Sequence, residues 1–197
     1  MIAFKGFTKD LTAKLGAGTY QYEAGKTYKE ERSKCIATGF HCAENPFDCL
    51  AYYPLANGNR YFMVEAGGDI DEDGSDSKIA CTELTLISEI NLFDIAYYGT
   101  QYMIKHPKRE WIQSGTRLEV AKNTASTVCR DSIVIARGEH PQAYAGDGSM
   151  IVLIVEKDEG IVKAKASMVR RGGKALKPLT WYKLDKNGEF AEAGNEI

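Results

Sequence analysis

The sequence predicts an α+β N-terminal domain, with a small twisted sheet and two helices, over residues 1–115. A short β-solenoid-like segment and C-terminal β-hairpins follow over 116–197. Three observations predict this. A capped helix signal runs from Asn45 to Pro54, and a periodic apolar run covers 89–106, both set among short alternating segments. After Trp111 the texture changes to apolar bursts punctuated by glycine. Near the end, Asn187-Gly188 lies between alternating runs, the strongest short hairpin signal.

Residues 2–7 alternate and read as a first strand, and Gly16-Ala17-Gly18 breaks the chain after it. Tyr20-Gln21-Tyr22-Glu23 reads as an aromatic strand closed by Gly25, and Cys35-Ile36-Ala37 as a short extended stretch. A helix is predicted over 46–53. Asn45 suits the N-cap, Pro46 the first helical position, Asp48 the positive end of the dipole, and Pro54 the stop. Tyr61 to Ala66 reads as a buried strand. An acidic turn (Asp69, Asp71, Glu72, Asp73, Gly74, Asp76) leads to its antiparallel partner, Lys78 to Ile87. Ser88 is the expected cap of a second helix over 89–106, whose residues Leu92, Phe93, Ala96 and Met103 recur at helical steps and which Pro107 ends. Beyond Trp111, the bursts 132–136 and 150–155, with Gly138, Gly146 and Gly148 between them, suggest stacked β-coils.

Composition narrows the function classes. With 44% hydrophobic and 26% charged residues, the 197-residue chain can bury a core without staples. A formal net charge of −2 gives no global attraction to nucleic acid or membrane, so an electrostatic partner must meet a local patch. No apolar run is long enough to span a bilayer, and no export signal opens the chain. The five cysteines, an odd number without framework spacing, predict reduced thiols in a cytoplasm.

Three residue patterns invite chemistry. Asp69 to Gly74 imitates the start of an EF-hand loop, but Ala80 stands where the closing bidentate carboxylate belongs, so the expectation is a solvated turn. Cys35, His41, Cys42 and Cys49 lack the two-to-four-residue gaps of zinc sites, and neither metal nor cofactor is expected. His41 precedes the first predicted helix, whose positive end lowers an imidazole pKa. With Glu44 or Tyr22 it is a candidate proton acceptor, and its plain alternative is a histidine that fixes the loop backbone. Finally, seven cations (Lys163, Lys165, Arg170, Arg171, Lys174, Lys177, Lys183) occur between 163 and 183 with no acid, next to Trp181 and Tyr182. Lys and Arg beside aromatics are the footprint of nucleic-acid binding, with Tyr182 the expected stacking ring and Trp181 the inward one.

Lys5-Gly6-Phe7, Gln21 to Tyr28, Gly39-Phe40-His41 with Glu44-Asn45-Pro46 and Asp48, and Ser77-Lys78-Ile79 together resemble a family of uncharacterised bacteriophage and prophage proteins, grouped under a domain of unknown function. In that family glycine-punctuated repeats and a cap follow the first domain. Here Ile151 to Glu192 resembles the cap, and the repeat region is short. The resemblance implies mobile-element origin and a role against host defence. The layout of the first domain is also similar to ADP-ribosyltransferases, with Phe4-Lys5-Gly6, Gly39 to Cys42, Tyr53 and Glu83 in the corresponding places, although no Glu-x-Glu or Gln-x-Glu stands on the late strand.

The leading expectation is a phage-derived accessory protein of anti-CRISPR type that binds a host defence protein or its guide RNA. The alternatives are an enzyme of the first domain, cleaving RNA through His41 or transferring ADP-ribose, and a structural module whose β-coils self-assemble into a homo-oligomer.

Overall fold

A computed structural model describes residues 1–15, 18–35, 37–72, 74, 76–115, 117–158 and 160–194. The expected break at Gly16-Ala17, Ile36 of the expected extended stretch and Asp73 of the acidic turn lie outside the described residues. The protein is mostly β, with 52% strand and 11% helix. This corrects the expectation of an α+β domain followed by a short solenoid. The chain divides into two compact units, Met1–Asn91 and Leu92–Ile197, where the sequence suggested a division after residue 115.

The first unit is a small closed sheet. Its strands are β1 (Ile2–Phe7), β2 (Thr12–Leu15), β3 (Gly18–Gln21), β4 (Thr27–Lys29), β5 (Phe40–Ala43), β6 (Arg60–Glu72) and β7 (Lys78–Ile90). The order β4-β7-β5-β1-β6, with β6 also paired to β7, joins β7, β5, β1 and β6 into a ring. The long β6–β7 hairpin can serve both sides of the ring because it is bulged. Its register shifts between Gly67 and Ile70, Gly68 takes a positive φ of 70°, and the Asp69 N–H turns to Thr82 Oγ1 at 2.8 Å. Such bulges bend a strand and increase its twist. Phe7, Phe40, Phe62, Ile79, Leu84 and Leu86 fill the interior with Tyr22. The β2–β3 hairpin forms a separate two-stranded sheet.

Helix α1 (Pro46–Cys49) follows β5. Its cap is as the sequence indicates: Asn45 Oδ1 accepts from Phe47 N at 3.1 Å. The helix is shorter than 46–53, and residues 50–53 continue as a hydrogen-bonded turn in which Tyr53 N bonds Cys49 O at 2.9 Å. The expected extended stretch at Cys35 is instead a tight turn, closed by Thr38 N to Lys34 O at 2.9 Å.

The second unit begins with α2 (Leu92–Lys105). Ser88 does not cap it, because β7 runs on to Ile90. A seven-stranded sheet follows, made of β8 (Gln113–Gly115), β9 (Leu118–Ser126), β10 (Ile133–Tyr144), β11 (Met150–Lys157), β12 (Gly160–Met168), β13 (Tyr182–Leu184) and β14 (Phe190–Glu192). The glycine-punctuated bursts are strands of this one mixed sheet, not stacked coils. β9, β10 and β11 are parallel, while β12 and β13 join antiparallel. β10 and β11 are apolar on both faces, as strands covered on both sides must be. One face packs Val134, Ala136, Ile151 and Leu153 with Tyr182, and α2 packs along β11 and β12. No helix among the described residues is long and apolar enough to cross a membrane.

Candidate ligand-binding cleft

The two edges of the ring that meet at β1 are unequal. β1 pairs with β6 at six successive positions, but with β5 only at Phe4–Ala43. Where β1 and β5 part, a cleft of about 770 Å³ opens, walled by β1, β5, the β2–β3 hairpin and the turn after α1. That size is typical of small-molecule sites.

Lys5 lies in this wall and is only 5% exposed. It shares a strand face with Ala3 and Phe7, so its stem runs into the core cluster. Its Nζ donates to the carbonyl of His41, on the β5 edge that the short ladder leaves open. The nitrogen sits 5.5 Å from the Phe7 ring centroid and 5.7 Å from that of Tyr22. Loss of solvent pulls its pKa below the ordinary lysine range, against a smaller opposite influence from the thiols of Cys42, Cys49 and Cys81. Burial likewise keeps Tyr22 protonated, and its hydroxyl has no hydrogen-bond partner among the described residues.

His41 is placed on β5, not in a loop, and half-buried in the cleft wall. Its pKa is lowered first by burial, then by the charges of Lys5 and Lys78. The sequence pointed to the same direction but attributed it to the helix end. Neither Glu44 nor Tyr22 lines the cleft beside it. Among the described residues Asp48 is the one carboxylate that lines the cleft. Its Oδ2 accepts from Ser77 N at 3.1 Å and from Ser77 Oγ at 2.6 Å, which ties α1 to the start of β7. Lys78 donates to the Tyr52 hydroxyl at 3.1 Å and sits over its exposed ring. Tyr53 packs closely against Gly6, where a Cβ would come 2.6 Å from the ring.

The cysteines are all free thiols, four buried and Cys129 exposed. Cys49 donates to Phe4 O at 3.3 Å, and burial pushes its pKa up to about 12. Among the described residues no three His, Cys, Asp or Glu side chains converge as metal ligands. Of the imitation EF-hand, Asp71 accepts from Cys35 N at 2.7 Å. Glu83, the acid of the transferase-like layout, pairs with Lys29 at 2.6 Å and does not line the cleft.

The C-terminal cations come together with acids that lie beyond their own stretch of sequence. Lys165 pairs with Glu189, and Lys177 with Glu192. Lys163 donates to Asn187 O at 3.0 Å, and the Arg171 N–H is held by Asp147 at 3.0 Å. Arg170, Arg171, Lys174 and Lys183 remain exposed. Tyr182 is 5% exposed within the core and accepts from Lys177 N at 2.8 Å. It is therefore the inward ring, and the half-buried Trp181 rests 5.5 Å from Tyr144, the reverse of the sequence expectation.

Residues 1–97 match the model of a family described as a domain of unknown function, DUF7666. The match takes in the whole first unit and the cleft. No curated protein and no solved structure matches the chain.

Proposed function

We propose that the protein is a binding protein whose working part is the cleft of the first unit, and that its ligand carries phosphate and an aromatic base, as a nucleotide or an RNA end does. The observation that carries this reading is the charge of the cleft wall. Lys5, Lys14 and Lys78 line it, and among the described lining residues the one carboxylate is Asp48, which is engaged by Ser77, while Asp76 lies close to Lys78 outside the lining. Clustered cations favour a phosphate-bearing ligand, and the exposed Tyr52 ring beside Lys78 offers a stacking face. The resemblance to phage and prophage proteins supports a setting for such binding: an accessory protein of a mobile element, with a glycine-punctuated C-terminal half, that blocks a host defence of CRISPR type. The C-terminal cations contribute less to this reading than their sequence suggests, because Glu189 and Glu192 lie against two of them.

One observation favours a second reading, RNA cleavage. His41 has a lowered pKa, lines the same cationic cleft, and is suited to accept a proton as a neutral imidazole.

Calorimetric titration with mononucleotides and short single-stranded RNA tests the proposal. Binding that weakens with salt and is lost in Lys78→Glu is expected. Absence of heat with every nucleotide at low salt would overturn it. Loss of RNA integrity that depends on His41 would establish the second reading.

A further inference from the structure

We infer that one end of the second unit docks on an anionic lipid bilayer, with Val128 and Leu179 entering the interface and Arg130, Arg170, Arg171 and Lys174 meeting the headgroups. The inference uses no residue of the cleft, so it stands or falls apart from the proposed function.

Three loops come together at this end. β9 and β10 finish side by side, with Ser126 opposite Tyr144. The turns that follow them stack: Thr127 N bonds Tyr144 O at 3.1 Å, Asp131 N bonds Asp147 O at 3.2 Å, and a Cβ on Gly146 would come 2.5 Å from the Val128 carbonyl. The segment between β12 and β13 joins them through Leu179 N to Ala145 O at 2.9 Å and Arg171 N to Asp147 Oδ1 at 3.0 Å. The backbone of the end is fixed by these bonds, yet two aliphatic side chains stand out from it, Val128 at 72% exposure and Leu179 at 53%. Single exposed aliphatics are ordinary. Leu179 is not, because its φ of 57° is a left-handed conformation that a bulky residue adopts only at a cost. Leu11 has the same φ, but it is buried in the core of the first unit, where packing offsets the strain. For the exposed Leu179 no such packing does.

The charge at this end selects the partner. Arg130 pairs with Asp147 at 3.1 Å, and Lys177 with Glu192 at 2.8 Å. Asp131, exposed beside Gly148, adds a further negative charge. Among the described residues no carboxylate pairs with the side chains of Arg170, Arg171 or Lys174, all of them exposed. Cations therefore outnumber acids here, although the whole chain carries −2. Cations around protruding aliphatics match an anionic bilayer, which offers phosphate to the first and hydrocarbon to the second. A nucleic acid offers the phosphate, but the rings its bases would stack on are withdrawn. Tyr182 is 5% exposed, and Trp181 is half-buried against Tyr144.

The test mixes the full chain with vesicles of phosphatidylcholine alone, or of phosphatidylcholine and phosphatidylglycerol in equal parts, and reads co-sedimentation at low and high salt. The expected result is binding to the anionic vesicles only, weakened by salt. Replacing Arg170 and Arg171 together by Ala should weaken it about fivefold for each cation removed. Leu179→Asn introduces a residue that tolerates the left-handed conformation. It should keep the wild-type circular dichroism spectrum while vesicle binding falls about tenfold or more. Trp181, close to Leu179 in the chain, reports insertion: brominated lipid should quench tryptophan fluorescence in the wild type, and less in Leu179→Asn. No binding to anionic vesicles at low salt, equal binding to neutral ones, or binding that Leu179→Asn leaves intact would overturn the inference. Single-stranded RNA bound by the wild type but not by the double arginine variant, with no vesicle binding, would give the same cations to nucleic acid instead.

Discussion

Lys5→Met isolates what it costs to bury an amine in the first unit. Lys5 is 5% exposed, and loss of solvent is the main cause of its lowered pKa. A base whose folded pKa lies below its unfolded value of about 10.4 carries fewer protons folded than unfolded in the window between the two. Stability follows the difference in bound protons, unfolded minus native, so it rises with pH through that window. Below the folded value the penalty for burying the ammonium is present in full, and above the unfolded value it is gone. One group contributes a slope of at most about 1.4 kcal/mol per pH unit.

Methionine fills similar space and does not titrate. The wild-type stability minus that of Lys5→Met should therefore climb with pH as the unfolded lysine value is approached. The lost hydrogen bond to His41 adds an offset of about 1 kcal/mol, and the stronger bond made by the ammonium is already contained in the folded pKa. The buried thiols do not cancel fully. Cys42, raised by its bond to Cys81 and by burial, and Cys49, raised by burial, stay protonated while their unfolded counterparts ionise, which lowers the stability of both proteins at high pH; the Lys5 charge opposes that rise, so the loss is larger in Lys5→Met and adds to the climb of the difference. Both tryptophans, Trp111 and Trp181, lie outside Met1–Asn91. Urea unfolding must accordingly be followed by far-ultraviolet circular dichroism and tyrosine signals, at several pH values from neutral upward. Two stability curves that run parallel in pH would show that Lys5 is equally protonated in both states, and the reasoning would fail.

Other outcomes follow from single contacts. Gly6→Ala should lower the urea midpoint by the equivalent of about 1–3 kcal/mol, as overpacking does, because the methyl meets Tyr53 at 2.6 Å; an unchanged midpoint would show that the ring yields freely. Asn45→Ala removes the cap of α1 and should cost about 1–2 kcal/mol, and stability equal to wild type would dismiss the cap as a contributor. In the second unit, Glu156→Ala leaves the guanidinium of Arg137, 8% exposed, without its carboxylate. A loss of about 3 kcal/mol or more, read by tryptophan fluorescence, is expected, and a loss near zero would mean that water replaces the carboxylate. Melting curves with and without chelator should coincide, and a large drop with chelator would reveal a structural metal.

The parts of the fold legible in the sequence are those specified by neighbours along the chain. The Asn45-Pro46 cap, the β6–β7 pairing and the Asn187-Gly188 turn between β13 and β14 all rest on residues within reach of one another. The fold class was misread where tertiary pairing overrode local pattern. Ser88 has the chemistry of a cap, yet pairing with Met63 keeps it in β7. The apolar bursts around Gly138 and Gly146 fit coils as well as they fit strands, and only the pairing of β10 with β9, β11 and β13 decides for one sheet. Charge was misread for the same reason: the acids that lie against Lys165 and Lys177 come from β14 and the turn before it, outside the window in which the cations were counted.

The cleft had a signal that strand alternation alone could have found. In Ile2–Phe7 both faces are apolar, with Phe4 on one and Ala3 and Phe7 on the other. A strand apolar on both faces is buried on both, so the lysine between Ala3 and Phe7 must enter a core and needs an acceptor there. No acid in the neighbouring sequence supplies one. What the alternation does not reveal is the acceptor itself, because it is created by an interruption: β5 leaves β1 after Phe4–Ala43, and the His41 carbonyl on the same edge is then open to a side chain. The same interruption opens the cleft. A uniform β1–β5 ladder would satisfy that carbonyl from the backbone, and the lysine would have neither partner nor cavity. The buried amine and the space beside it are thus two consequences of one missing stretch of ladder.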